Sequence, residues 1–377
     1  MPLPVRASRI PNALQPAHQV SHSVGVQQQA AQHAQPQQRV SVIAASSSSP
    51  AAEGAGEAAP APAIASWRIP LYVFLWYAFN IIFNIINKST LNAFPCPWFI
   101  ATLQLAASAA FMVFLWVSKL QPVPQLSWGF AAALMPVALF HTIGHVSACV
   151  SFSQMAVSFT HIIKSAEPVL SVALSGPLLG QTYPLYVWMS LLPIVAGCSM
   201  SAMKEVSFAW SGFNNAMISN LGMVLRNIYS KKSMVNYKHI DGINLFGLIS
   251  IASLVYCVPA AVVMESAVWP AAWQAACNKL GETGFYQMLA WGGLFYHLYN
   301  QASYMVLEQG VSPVSFSVGN TMKRVVVVVS SVIFFQNPVS ALNWAGSATA
   351  ILGTYLYSMA SDKHAAEKKA AAAAKTA

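Results

Sequence analysis

The run PVSFSVGNTMKRVVVVVSSVIFF, from Pro313 to Phe335, is long enough and apolar enough to cross a bilayer, yet Lys323 and Arg324 sit side by side in its middle. At a rise of about 1.5 Å per residue, Lys323 lies roughly 15 Å from Pro313, half the thickness of a hydrocarbon core. A cation at that depth costs about 2.5 to 3.5 kcal/mol on insertion scales. A chain that keeps two there must give them protein, water or an anion. Snorkelling covers only part of the depth, and the run holds no acidic residue, Glu308 being the nearest before it in the chain. The reading is an anion site, with a carboxylate from another helix as the alternative partner.

The rest of the chain is of the same kind. Of its 377 residues, 56% are hydrophobic and only 8% charged, against about 25% charged in soluble domains, so the chain reads as a polytopic membrane protein in contact with lipid. The formal charge of +9 is spread over loops and isolated intramembrane points, not gathered in a basic domain, which argues against a nucleic-acid partner. Cys96, Cys149, Cys198, Cys257 and Cys277 show no CxxC or Cys/His spacing, and no cofactor motif occurs, so neither a metal nor a cofactor is expected.

Residues 1–66 are rich in Ala, Gln, Ser and Pro, with Arg6, Arg9 and Arg39 and no acid before Glu53. That is the composition of an organelle transit segment and points to a plastid. From Leu71 the chain alternates apolar segments with short polar turns, predicting an all-α membrane domain over 67–360 with helices near 71–87, 98–117, 129–150, 154–176, 184–203, 211–229, 243–264, 285–307, 313–335 and 340–360. The sixth, with Asn214, Asn215, Asn220 and Arg226, is expected to face a bundle interior. Residues 361–377 read as a solvated, partly helical tail. An even helix count puts both termini on one side, and Arg68, Lys119, Lys231, Lys232, Lys238, Lys363, Lys368 and Lys369 gather there, which predicts stromal termini.

The ten helices also repeat. AVSFTHIIKSAEPVL from Ala156 matches PVSFSVGNTMKRVVV from Pro313, and each is followed by a turn and a helix bearing Trp and Gly (Trp188, Gly197; Trp344, Gly353). A five-helix unit copied in tandem crosses in opposite senses, giving a 5+5 inverted repeat with halves of about 71–203 and 211–360 and a midplane site between them. Lys164, in the fourth helix, then comes to the depth of Lys323 and Arg324. Three cations in a watered cavity suit a phosphate, with charge near −2. Enclosing them empty is opposed by desolvation and repulsion, which predicts obligatory exchange of phosphate for a phosphorylated metabolite.

Glu167, three residues after Lys164, is a possible ion-pair partner for that lysine. Pro168 is expected to bend the fourth helix. His141 and His145 share an i, i+4 spacing but lack a third ligand or the HExxH glutamate, so His145 reads as a polar lining residue. Tyr299 reads equally well as a cavity hydrogen-bonder or a packing ring. The Gly176–Gly180 pair hints at close helix packing. Enzymatic chemistry is disfavoured because the spans offer few carboxylates and no nucleophile-base spacing. A nucleotide-sugar carrier and a passive anion channel are further rivals.

The strings FNIINKSTLNAFPCPWFIATLQL, AVSFTHIIKSAEPVLSV, AMISNLGMVLRNIYSKKSM, FYHLYNQASYM and SVGNTMKRVVVVVSSVIFF resemble the plastidic phosphate translocators of the drug/metabolite transporter superfamily, over almost all of 72–358. The resemblance implies a ten-helix carrier of the inner envelope that exchanges inorganic phosphate for a sugar phosphate or a three-carbon phosphate. It places phosphate binding on Lys164, Lys323 and Arg324, and contacts to the sugar moiety on His145 and Tyr299. Ala148 stands where the triose-phosphate type usually carries a hydroxyl residue, and TIGHVSACVS, HIIKSAEP, AAWQAA and GNTMKR look most like glucose-6-phosphate/phosphate translocators. Glucose 6-phosphate is therefore the expected counter-substrate, with triose phosphate as runner-up and a pentose phosphate also open.

Overall fold

The computed structural model describes residues 67–203, 205–233, 237, 240–308 and 313–374. The expected transit segment, Lys204, Lys238 and the connection 309–312 lie outside the described residues. Among the described residues the structure is built of helices: α1 Arg68–Ala93, α2 Pro97–Val117, α3 Trp128–Gln154, α4 Val157–Lys164, α5 Glu167–Leu179, α6 Leu185–Met189, α7 Leu192–Met203, α8 Trp210–Ser233, α9 Gly242–Glu265, α10 Trp269–Leu280, α11 Glu282–Glu308, α12 Pro313–Phe335 and α13 Ala341–Ala374. Six stretches among the described residues are long and apolar enough to cross a membrane: 68–93, 97–117, 128–154, 157–179, 185–203 and 242–280.

Local chemistry explains where the helices begin and end. Ser127 caps α3 by accepting from the Phe130 N–H at 3.1 Å, and Asp241 caps α9 by accepting from Asn244 at 2.7 Å. Pro97 opens α2, where its missing donor does no harm. The next amides, of Trp98 and Phe99, donate at 3.2 and 2.8 Å to the buried carboxylate of Glu265, from the far end of α9. Gly180 closes α5 at φ +63°, a left-handed conformation that a side chain disfavours. That is its role, rather than the close packing expected of the Gly176–Gly180 pair.

Four boundaries differ from expectation. The fourth segment breaks at Ser165–Ala166, just ahead of Pro168, which cannot donate to the Lys164 carbonyl. Two carbonyls at the break, already bonded by the Ser165 and Ala166 amides, each accept a second donor from a neighbouring helix: Asn220 Nδ2 to Ile163 O at 3.0 Å and Cys198 Sγ to Ile162 O at 3.2 Å. The fifth segment is likewise split between α6 and α7. The stretch after α9, expected as a loop, forms α10, whose Trp269 and Trp273 pack edge-on against Phe99 and Phe94. Finally, α13 continues far past 360, held by Tyr186 donating to Glu367 at 2.9 Å and by His364 meeting Thr182 O at 3.1 Å.

The helices pair lengthwise, α3 with α8, α7 with α13, α1 with α11 and α2 with α9, while α12 packs on α1, α4 and α13. The α7–α13 pair is the tightest. A Cβ on Gly197 would strike the backbone of Gly346 and Ala350, and one on Gly353 would strike Ile194 N, so only glycine allows the approach.

Candidate functional site

Between these helices lies a cavity of about 610 Å³, within the range of small-molecule sites. All six residues singled out from the sequence, Lys164, Lys323, Arg324, His145, Ala148 and Tyr299, line it. They come from four helices, α3, α4, α11 and α12, so the pairing of the bundle is what assembles them.

Each cation is held differently. Lys164 ends α4, and its Nζ donates to Ser219 Oγ at 2.6 Å, which in turn donates to Gly144 O at 2.7 Å. Lys323 Nζ lies 4.9 Å from the centre of the Trp76 ring, a cation–π arrangement with no carboxylate in reach among the described residues. Arg324 Nη2 meets Glu167 Oε2 at 3.1 Å, while its Nη1 is buried with no partner among the described residues. The partner expected for Lys164 thus serves Arg324. At the break between α4 and α5 the chain keeps a tightened helical turn, and α12 brings Arg324 within ion-pair distance of Glu167.

The other wall is aromatic and amide-rich. His145 stacks on Tyr296 with centroids 4.6 Å apart, and its Nε2 is buried without a partner among the described residues. Tyr299 packs against Phe83 at 5.0 Å and Tyr296 at 5.8 Å. Ala148 is buried against Phe152 and Leu289, so its small side chain leaves room on the cavity side.

Sequence reasoning did not assign two further sets of lining residues. Arg226, on α8, reaches His141 Nδ1 at 3.3 Å. Because a guanidinium only donates, that contact makes Nδ1 the acceptor and leaves the proton on Nε2, which faces Tyr296 OH at 3.3 Å. An arginine within an otherwise membrane-length segment was the available signal. The second set is Asn80, Asn84 and Asn87, one face of α1, also on the cavity wall. Their signal was the spacing of i, i+4 and i+7 in a helix otherwise apolar.

Counting charges on the wall, Lys164, Lys323, Arg324 and Arg226 stand against Glu167 alone, an excess of three positive charges. An excess of positive charge in a cavity suits a multiply charged anion.

The comparisons with known proteins name the family. Residues 67–358 match the Triose-phosphate Transporter family, and the chain belongs to it: a transporter family, not one of enzymes. It is 57% identical over 290 residues to the xylulose 5-phosphate/phosphate translocator, chloroplastic, of Arabidopsis thaliana, covering 77% of this chain and 69% of that one. To glucose-6-phosphate/phosphate translocator 2, chloroplastic, of the same plant it is 48% identical, covering 78% and 75%. To the triose phosphate/phosphate translocator, chloroplastic, of Flaveria pringlei it is 41% identical, covering 85% and 78%.

Proposed function

We propose that this protein is an obligatory antiporter that exchanges inorganic phosphate for a sugar phosphate across the plastid inner envelope, with its termini in the stroma. The observation that carries the reading is the set of four cations and one carboxylate lining a single cavity. Lys164, Lys323 and Arg324 hold the phosphoryl group, Arg with its planar fork and the lysines as point charges. His145, Tyr299 and the space left by Ala148 receive the sugar. Closing around the empty cavity would enclose three uncompensated charges, at a cost of several kcal/mol that a bound phosphate removes. Transport without a counter-substrate is thereby suppressed.

The alternating-access scheme rests on two five-helix halves, α1 to α7 and α8 to α13, with α4–α5 and α6–α7 each counted as one span and α10 as an insertion. The helix neighbours support it. Exchanging the halves turns the α3–α8 contact into α11–α1, and α2–α11 into α9–α3. It also turns α1–α12 into the contact of α8 with α4 and α5.

A pentose phosphate such as xylulose 5-phosphate is our first reading of the counter-substrate, supported by the relative at 57% identity. Glucose 6-phosphate is the second reading, favoured by Ala148 and by the 48% relative. The test is uptake of labelled phosphate into liposomes carrying the purified protein and loaded with xylulose 5-phosphate, glucose 6-phosphate, triose phosphate or nothing. Xylulose 5-phosphate is expected to support the fastest uptake, and empty liposomes to take up almost none. Equal filling of empty liposomes would refute the antiporter.

A further inference from the structure

The asparagine face of α1 goes beyond the charge cluster. Asn80, Asn84 and Asn87 are each at least nine-tenths buried, all three line the cavity, and they span seven residues, about 10.5 Å of helix. Amides are costly in a membrane-spanning helix unless they are satisfied, and here they are satisfied only in part. Asn84 is committed: its Nδ2 donates to Asn80 O at 2.7 Å, and its Oδ1 meets His161 Nε2 at 3.0 Å. Asn87 Oδ1 accepts from Gln104 Nε2 at 2.8 Å. The Nδ2 groups of Asn80 and Asn87 donate to no protein group among the described residues, and both residues face the cavity.

Neighbours fix where this ladder stands. One turn before Asn80, Trp76 carries Lys323 over its ring. His161, which meets Asn84, lies one turn before Lys164 on α4. Phe83, between the asparagines, packs on Tyr299. The amides therefore lie beside both the cations and the aromatic wall, within reach of a phosphorylated sugar held there. They are uncharged and can both donate and accept, which suits hydroxyls and adds no charge to the cation cluster.

We propose that Asn80, held by Asn84, and Asn87, held by Gln104, form a subsite for the hydroxyl groups of the sugar. The subsite separates polyhydroxylated sugar phosphates from inorganic phosphate and from triose phosphate. The proposal rests on the sugar-phosphate reading given above.

The experiment measures inhibition of labelled phosphate homoexchange in liposomes. In Asn80→Leu and in Asn87→Leu, the inhibition constants of xylulose 5-phosphate and glucose 6-phosphate are expected to rise by roughly two- to tenfold more than the KM for phosphate, the effect of one lost hydrogen bond. A proportionate change in both, or none, overturns the subsite. Should the variants fail to fold, the wild-type protein still decides. Glucose 6-phosphate analogues lacking the hydroxyl at carbon 2, 3 or 4 are compared with the parent, and at least one is expected to inhibit roughly two- to tenfold less well. Equal potency of all three overturns the subsite while leaving the carrier intact. If no sugar phosphate inhibits the wild-type protein, the functional reading itself fails, and the subsite with it.

Discussion

Replacing Glu167 by Gln isolates the one carboxylate on the cavity wall. At 3.1 Å its attraction for Arg324 is about 5 kcal/mol gross at an effective dielectric of about 20. Both side chains keep some exposure to the cavity, 18% and 26%, and desolvation offsets most of that attraction. A net worth of about 1 to 2 kcal/mol remains. A phosphate oxygen arriving at Arg324 has to displace this carboxylate and also meets its repulsion. In Glu167→Gln the competitor is neutral and the excess charge rises from three to four. Phosphate is expected to bind about five- to thirtyfold more tightly, at 1.4 kcal/mol per decade. Exchange is expected to slow, because release is then harder, and empty liposomes should still not fill. Calorimetric titration of the purified protein gives the affinity, and liposome uptake gives the rate. Weaker phosphate binding would mean that Glu167 positions Arg324 rather than competing for it. Uptake without an internal partner would refute the charge-enclosure mechanism altogether.

Lys323→Gln removes a cation that has no carboxylate partner among the described residues, so phosphate exchange should fall roughly ten- to hundredfold at unchanged thermal stability, read as apparent affinity in the uptake assay. Ala148→Thr restores a hydroxyl and adds bulk against Phe152 and Leu289; it should lower exchange with glucose 6-phosphate or xylulose 5-phosphate about tenfold relative to triose phosphate, measured by competition. Glu265→Gln keeps the shape of the α2 cap and removes its charge; a loss of about 1 kcal/mol should lower the melting midpoint in detergent by roughly 2–4 °C, with phosphate affinity unaffected.

Much of the site was legible before any coordinates because intramembrane charge is expensive. Lys164, Lys323 and Arg324 declare themselves by depth alone, and the likeness of the runs at Ala156 and Pro313 brings them to one level. What could not be read was pairing across the bundle. From sequence, the nearest base to Glu167 is Lys164, three residues away, and only the packing of α12 brings Arg324 to it. Arg226 was visible as a buried charge, but its approach to His141 depends on how closely α8 lies along α3. The helix α10 escaped notice because its 12 residues are too few to span a bilayer and directly follow a long apolar run. Asn84 and Asn87 of α1 stood in a string quoted for the resemblance and Asn80 did not, and the face that the three share shows only when the helix is drawn.

The break between α4 and α5 has a mechanical consequence. Asn220, fully buried on α8, holds the Ile163 carbonyl, and Cys198 on α7 holds that of Ile162. Straightening the joint would strand both donors inside the bundle, so the elbow behaves as a bracket rather than a hinge. The spacing from Lys164 to Glu167 is then a constant of the transport cycle. Arg324, on a separate helix, is the part free to be handed from carboxylate to substrate and back.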